Sequence, residues 1–316
     1  MPTFSGPTFC RVEEVAGETF DFAAFRARDH RPVVVKGAVT RWPELHNWTF
    51  GHLAAMCDRR PEGVTVPCKN GLIEQGSTRP EIMQPLGPYL RELDRQARLI
   101  DDAPRALVAH RELSQLAPSE LFHLDWSRLD FIPDKAYLQQ FDLFSLLPEL
   151  KNDVPRKTLW PGAHATWAYV FIGPADTLTG LHFDFSHNWF CQVRGTKEVL
   201  LFDQTESSRL SPGDKYDWGS VLSDLDLSRL ETQSGPRDRF AEAHGTYARL
   251  EAGDAIFIPR RTWHAIVALT PSISVGVFGL TPFEIAGRGT ALTAGKLLHL
   301  ARLYRRGNCA CHPNRA

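Results

Sequence analysis

Thr166-Trp-Ala-Tyr-Val-Phe-Ile-Gly173 and, after a Gly-Pro turn, Thr179-Gly-Leu-His182-Phe-Asp184 are the two segments from which the architecture can be built. The first is a short apolar run closed by a turn, the pattern of a buried β-strand. In a strand, successive side chains alternate faces, so His182 and Asp184 point one way and Phe183 into the opposite layer. Far along the chain Trp263-His264 offers a second imidazole, which a neighbouring strand end can bring alongside. Two imidazoles and one carboxylate on one face of an ion are the ligand set of non-haem Fe(II), with three positions left open. Alone, the three residues are weak evidence: a His-x-Asp pair arises by chance, and a single His is usually a hydrogen-bonded core or surface residue.

Neighbouring runs add context. Trp189-Phe-Cys-Gln-Val193 and Glu198-Val-Leu-Leu-Phe202 flank Arg194-Gly-Thr-Lys197 and predict a hairpin. Glu251-Ala-Gly-Asp-Ala-Ile-Phe-Ile-Pro259 reads as a turn entering a strand, with further strands expected over residues 265–269 and 272–278. Short strands punctuated by Gly and Pro predict a mainly β chain with flanking helices. Its core would be a double-stranded β-helix or jelly roll, with a mouth where ligands converge.

Several separate segments, in consistent order and spacing across residues 30–283, carry a family resemblance. They are Arg31-Pro-Val-Val-Val-Lys-Gly-Ala38 with Trp42-Pro, Tyr137-Leu-Gln-Gln140, Thr179-x-x-His-x-Asp-x-x-x-Asn188-x-Phe190, Gly195-x-Lys197, and Gly253-Asp-x-x-x-Ile-Pro259 with Trp263-His264. Together they resemble the Jumonji-C (cupin-8) family of Fe(II)- and 2-oxoglutarate-dependent oxygenases. Within it, the most similar subgroup is the one containing the asparaginyl hydroxylase factor inhibiting HIF.

The resemblance implies Fe(II) ligands at His182, Asp184 and His264. It makes Lys197, 15 residues after His182, the cation that pairs with the distal carboxylate of 2-oxoglutarate. Thr179 and Tyr137 match hydroxyl donors to that carboxylate, and Asn188 matches an amide near the metal-bound one. With Fe(II), 2-oxoglutarate and O2, the implied activity is oxidative decarboxylation of the cosubstrate coupled to hydroxylation of an unactivated C–H. The expected substrate is an amino-acid side chain in a peptide or protein; a small-molecule intermediate is the alternative. Hydroxylation is expected ahead of demethylation, since no histone-reader module or additional zinc domain is visible. A cupin metalloenzyme that does not use 2-oxoglutarate, and a non-catalytic binding barrel, are the rival classes.

Without the resemblance these residues read more plainly. Lys197 would be an exposed turn lysine, Tyr137 an amphipathic aromatic, Thr179 a strand-edge residue and Asn188 a turn or core amide. Trp189, Phe190 and Trp263 read as core or pocket wall, and the extra imidazoles His187 and His164 as non-ligands. One departure stands out: the subgroup often has an Asn where Gly276 falls in Ser274-Val-Gly-Val-Phe278, and extra room is expected there.

Composition agrees with a soluble cytoplasmic enzyme. The 316 residues are 43% hydrophobic, and 36 Lys plus Arg nearly balance 37 Asp plus Glu, so no global field favours nucleic acid or a membrane. No run of 18 apolar residues occurs, and the N-terminus lacks a charged segment followed by an apolar one. The six cysteines suggest no disulfide framework, which suits a reducing compartment. Cys309-Ala-Cys311-His312 reads as tail rather than metal site.

Along the chain, residues 1–130 are expected to form an N-terminal α/β region packed on a barrel spanning 131–283. Helices are expected near 20–26, at 49–57 with Thr49 as cap, and at 88–99. Residues 203–250 read as an insertion, either a lid or decoration. A basic helix at 284–306, stopped by Gly307, could pack on the barrel or pair with its mate in a homodimer, and 307–316 would be a flexible tail.

Overall fold

The computed structural model describes residues 7–28, 31–70, 81–102, 136–163, 165–175, 177–215, 217, 219–227, 230, 233–280, 285–286, 290–305 and 308–309. The strands in chain order are β1 (Thr8–Arg11), β2 (Glu13–Ala16), β3 (Val33–Lys36), β4 (Thr65–Asn70), β5 (Ile82–Pro85), β6 (Ala136–Phe141), β7 (Ala165–Gly173), β8 (Leu178–Asp184), β9 (His187–Arg194) and β10 (Lys197–Phe202). β11 (Ser220–Leu222), β12 (His244–Leu250), β13 (Ala255–Ile258), β14 (Trp263–Ala268) and β15 (Ser272–Leu280) follow. They form a nine-stranded sheet, β2-β3-β13-β9-β15-β7-β6-β4-β5, and a six-stranded one, β1-β12-β10-β14-β8-β11. From β7 to β10, and again from β12 to β15, consecutive strands change sheets. That exchange is the jelly roll the punctuated apolar runs predict.

The alternation within each strand sorts side chains into three apolar layers. Between the sheets lie Phe171, Phe190, Val199, Leu201, Ile256 and Ile266. Beneath the large sheet, Val170, Ile172, Trp189, Cys191, Val275 and Val277 meet N-terminal residues such as Trp48, Leu53 and Leu90. Outside the small sheet, Phe183, Phe202, Trp263 and Val267 are covered by Leu210, Leu225 and Phe240. Each buried Leu, Val or Phe contributes about 1.5–3 kcal/mol of transfer free energy, so all three layers hold the sheets in place.

Helix α1 (Phe22–Arg28) and α2 (Pro43–His46) precede α3 (Phe50–Asp58) and α4 (Leu86–Asp102), close to the sequence expectation. Thr49 caps α3: its hydroxyl accepts from the His52 amide at 3.0 Å. Thr49→Ala is therefore expected to cost about 1 kcal/mol, read as a fall of about 2 °C in the thermal midpoint; an unchanged midpoint would show the cap to be idle. Two of the motifs that carry the resemblance meet one strand in from the large-sheet edge, where β3 pairs with β13. There the Asp254 carboxylate accepts from the Lys36 ammonium and from the Gly37 and Glu251 amides, at 3.0 and 2.8 Å for the amides.

Three expectations need correction. The predicted hairpin at Arg194-Gly-Thr-Lys197 is a corner: β9 pairs with β13 and β15, whereas β10 pairs with β12 and β14. Gly195 turns this corner at φ 74°, a conformation costly for any residue with a Cβ. The excursion after β10 is shorter than residues 203–250, because its last seven residues are β12, ladder-bonded to β10. Much of the rest covers the outer face of the small sheet. The C-terminal helix spans Thr290–Leu300 and stops well before Gly307. Arg302 takes the left-handed φ of 63°, with Leu303 N–H donating to Leu298 and Arg302 N–H to His299, both carbonyls of the last turn. This is a Schellman stop in which arginine fills the usual glycine position. His164, Cys311, His312 and most of the expected tail lie outside the described residues.

Candidate metal centre

His182 and His264 are directly opposed on the paired strands β8 and β14, and Asp184 lies two residues further along β8. The imidazole centroids are 4.1 Å apart, and His264 Nε2 is 3.9 Å from Asp184 Oδ2. One ligand atom from each of the three residues falls within 4.8 Å of the others, the one such His/Asp/Glu/Cys group among the described residues.

Both rings are oriented the same way by the backbone. His182 Nδ1 is 2.7 Å from the Gly180 carbonyl, and His264 Nδ1 is 2.9 Å from that of Thr262. A carbonyl can only accept, so each Nδ1 carries the proton and each Nε2 lone pair is free for a metal. Burial, reinforced by His182, drives His264 well below the ordinary imidazole value and keeps it in its ligating neutral form. Burial also pushes the Asp184 carboxyl up to about 6, opposed by His182 and assisted by Asp217. A half-buried carboxylate held against its own desolvation is an environment in which a dication is strongly stabilising.

The triad opens into a narrow cleft that Tyr137, Thr179, Asn188, Phe171, Phe190 and Phe278 also line. Period-two alternation alone would turn Thr179 away from His182. The β8–β14 ladder, however, slips by one residue between His264 and Ile266, a bulge that brings both inward. A second bulge in β6, with Gln140 at φ 50°, lets Gln139 and Gln140 join Tyr137 in the lining. Tyr137 and Thr179 are hydrogen-bonded to each other.

Lys197 is where the corner matters. Instead of an exposed turn residue it is 1% exposed. Its Nζ lies 5.3, 5.5 and 5.9 Å from the ring centroids of Phe190, Tyr137 and Phe171. It has no hydrogen-bond partner, and burial lowers its pKa to about 7. The Asn188 Oδ1 is buried and unpartnered as well. Gly276 leaves no vacancy: a Cβ there would meet Asn188 Oδ1 and Phe171 at 3.2 Å and Phe278 at 3.3 Å. The neighbours close over the missing side chain, so the expected extra room is absent.

His187 stays off the metal, stacked on Phe257 at 5.5 Å and accepting from the Arg260 amide. Cys309 is buried and outside any metal-binding group among the described residues. Sequence reasoning missed Asp217, Gln140, Trp167 and Tyr169. Together with Phe278 they line a cavity of about 330 Å³ that adjoins the metal cleft through Asp184. The parity of Trp167, Tyr169 and Phe171 in β7 was a usable signal; nothing local marks Asp217.

Comparison with known proteins agrees with this geometry. The model of the cupin-like domain family matches residues 20–281. Jumonji C domain-containing protein 5 of Drosophila melanogaster is 27% identical over 272 residues, 82% of this chain and 56% of its own. Lysine-specific demethylase 8 of Xenopus tropicalis is 27% identical over 264 residues, 78% of this chain and 49% of its own. HSPB1-associated protein 1 of Rattus norvegicus is 24% identical over 248 residues, 76% and 47% respectively. The chain thus spans about half the length of the relatives it matches. With the family match covering barrel and metal centre alike, this chain belongs to the cupin-like family of Jumonji-C domains.

Proposed function

We propose that the protein is an Fe(II)- and 2-oxoglutarate-dependent oxygenase that hydroxylates an unactivated C–H of an amino-acid side chain in a peptide or protein. The observation that carries this reading is Lys197, a buried amine without a partner whose aromatic neighbours wall the same cleft as a His–Asp–His set. An unpaired buried cation is costly unless an anion meets it. A dicarboxylate does so at one end while reaching the metal with the other.

His182, Asp184 and His264 would hold Fe(II), which together with 2-oxoglutarate and O2 supplies the oxidising power for C–H hydroxylation. The chain's own contribution is positional. Gly180 and Thr262 keep both Nε2 atoms presented, Lys197 pairs with the distal carboxylate, and the Tyr137 and Thr179 hydroxyls exchange their mutual bond for donation to it. The family resemblance sets the Asn188 amide close to the chelating end, where its Nδ2–H can donate to the carboxylate. Phe171, Phe190 and Phe278 keep water from the reacting atoms, which strengthens each of these contacts.

The substrate would enter past Trp167, Tyr169 and Phe278, the first and last stacked at 5.7 Å. Demethylation is the second reading, favoured by the names of relatives such as the Xenopus protein. A homodimer through the C-terminal helix fits its exposed Leu297 and Leu300, with exposed Leu303 just beyond its end.

Protein, Fe(II) and 2-oxoglutarate incubated with host lysate under O2 are expected to yield succinate and a +16 product by mass spectrometry, both lost in His182→Ala. Formaldehyde release would favour demethylation. Oxygen uptake independent of 2-oxoglutarate, or bound iron without succinate, would sink the reading.

A further inference from the structure

The concavity does not end at the mouth. Gln140, Asp184 and Phe278 are common to the metal cleft and the 330 Å³ cavity. Phe185, Asp217 and Ser220 are in turn common to that cavity and to another of about 480 Å³ beyond it. The three spaces therefore adjoin one another in sequence, leading away from the metal centre.

The outermost space is built by two elements the oxygenase reading leaves without a role. One wall is the excursion around β11, which is hydrogen-bonded to the ligand-bearing strand, with Ser220 opposite Asp184 and Leu222 opposite His182. The other is the C-terminal helix, supplying Ala294 and Leu298. The Arg305 guanidinium donates to the Asp214 carbonyl at 2.7 Å and so ties the two walls together.

Phe185, Val221, Ala294 and Leu298 make the interior apolar, and the carboxylates of Asp214 and Asp217 are offset by Lys215 and Arg305. A lining with no net charge among the described residues offers a charged occupant little return for its desolvation. An apolar one gains the full transfer term. The volume lies within the roughly 300–1,000 Å³ of ordinary ligand pockets.

We propose that this cavity is a subsite for a large uncharged apolar side chain of the peptide, flanking the residue that is oxidised. The proposal rests on the reading of the mouth as the substrate entrance. It makes the excursion neither lid nor decoration but half of a specificity pocket.

The test is selection of a displayed random heptapeptide library on the immobilised full chain, alongside Ala294→Trp and Leu298→Lys. Both positions are exposed on the helix, so neither change disturbs the core. Peptides enriched on the natural chain should carry Phe, Leu or Trp at one position. Ala294→Trp, which fills the cavity, should weaken their retention roughly tenfold or more. Leu298→Lys should move the preference at that position to Asp or Glu, a gain that general damage would not produce. The same enriched peptides on all three proteins, or none on any, would overturn the subsite. Succinate formation is scored separately: turnover without altered selection removes only the subsite, and altered selection without turnover removes only the oxygenase.

Discussion

Lys197→Met is expected to make the cosubstrate-free protein more heat-stable while abolishing its response to 2-oxoglutarate. The Lys197 amine is buried without a hydrogen-bond partner, and its pKa falls to about 7 from about 10.4 in an unfolded chain. A lysine depressed on folding destabilises the native state as pH falls. The penalty is absent above the unfolded value, grows through the interval, and is complete below the folded one. At neutral pH it is on the order of 4 kcal/mol at about 1.4 kcal/mol per pKa unit. Met fills similar volume with no charge to desolvate, and removing such a group is stabilising. The thermal midpoint should rise by several degrees at roughly 2 °C per kcal/mol, most at or below pH 7 and less toward alkaline pH. On the proposed reading a distal carboxylate would satisfy the amine, so 2-oxoglutarate should stabilise the natural protein and leave Lys197→Met unmoved. Its affinity should fall about 100-fold or more, as when one partner of a buried charge pair is truncated. Scanning calorimetry with and without 2-oxoglutarate across pH measures both. A destabilised variant that still responds to 2-oxoglutarate would dismiss Lys197 as the anchor.

Gly195→Ala should be the most damaging single methyl group in the barrel. Gly195 sits at φ 74°, and an added Cβ would lie 2.2 Å from the Pro271 carbonyl and 2.8 Å from Thr270 Oγ1. The left-handed conformation alone costs about 1–2 kcal/mol for alanine, and a backbone carbonyl cannot move aside like a flexible side-chain end. The total should exceed about 3 kcal/mol, a loss of at least about 6 °C. Because this corner carries Lys197 from one sheet to the other, the surviving folded protein should also bind 2-oxoglutarate more weakly. Midpoints within 1 °C of each other would mean the corner relaxes freely, and the geometric account of Lys197 burial would fail.

Part of the site was legible in local signals, and His264, Lys197, Thr179, Tyr137 and Asn188 came from the family resemblance. His182 and Asp184 share a face by alternation, Thr49 marks a helix start by its hydroxyl, and Gly-Pro and Glu-Ala-Gly-Asp segments mark turns whatever surrounds them. What lay beyond the sequence depends on which strands pair. The Arg194–Lys197 segment has the look of a hairpin, and only the ladders to β12 and β14 reveal that it changes sheets. Thr179 reaches the His182 face through a one-residue slip against β14, and a slip has no signature in the strand that carries it. Asp217 approaches Asp184 only because β11 adds itself to β8.

By itself, then, the chain's order of residues determined most element types and the jelly-roll class, since periodicity and turn chemistry act over a few residues, while the three candidate metal ligands came from the family resemblance. Tertiary structure alone decided that Lys197 is buried, that Gly276 leaves no gap, and that an excursion and a terminal helix enclose a common cavity. Those outcomes come from long-range strand pairing and close packing, whose energies depend on neighbours dozens of positions away.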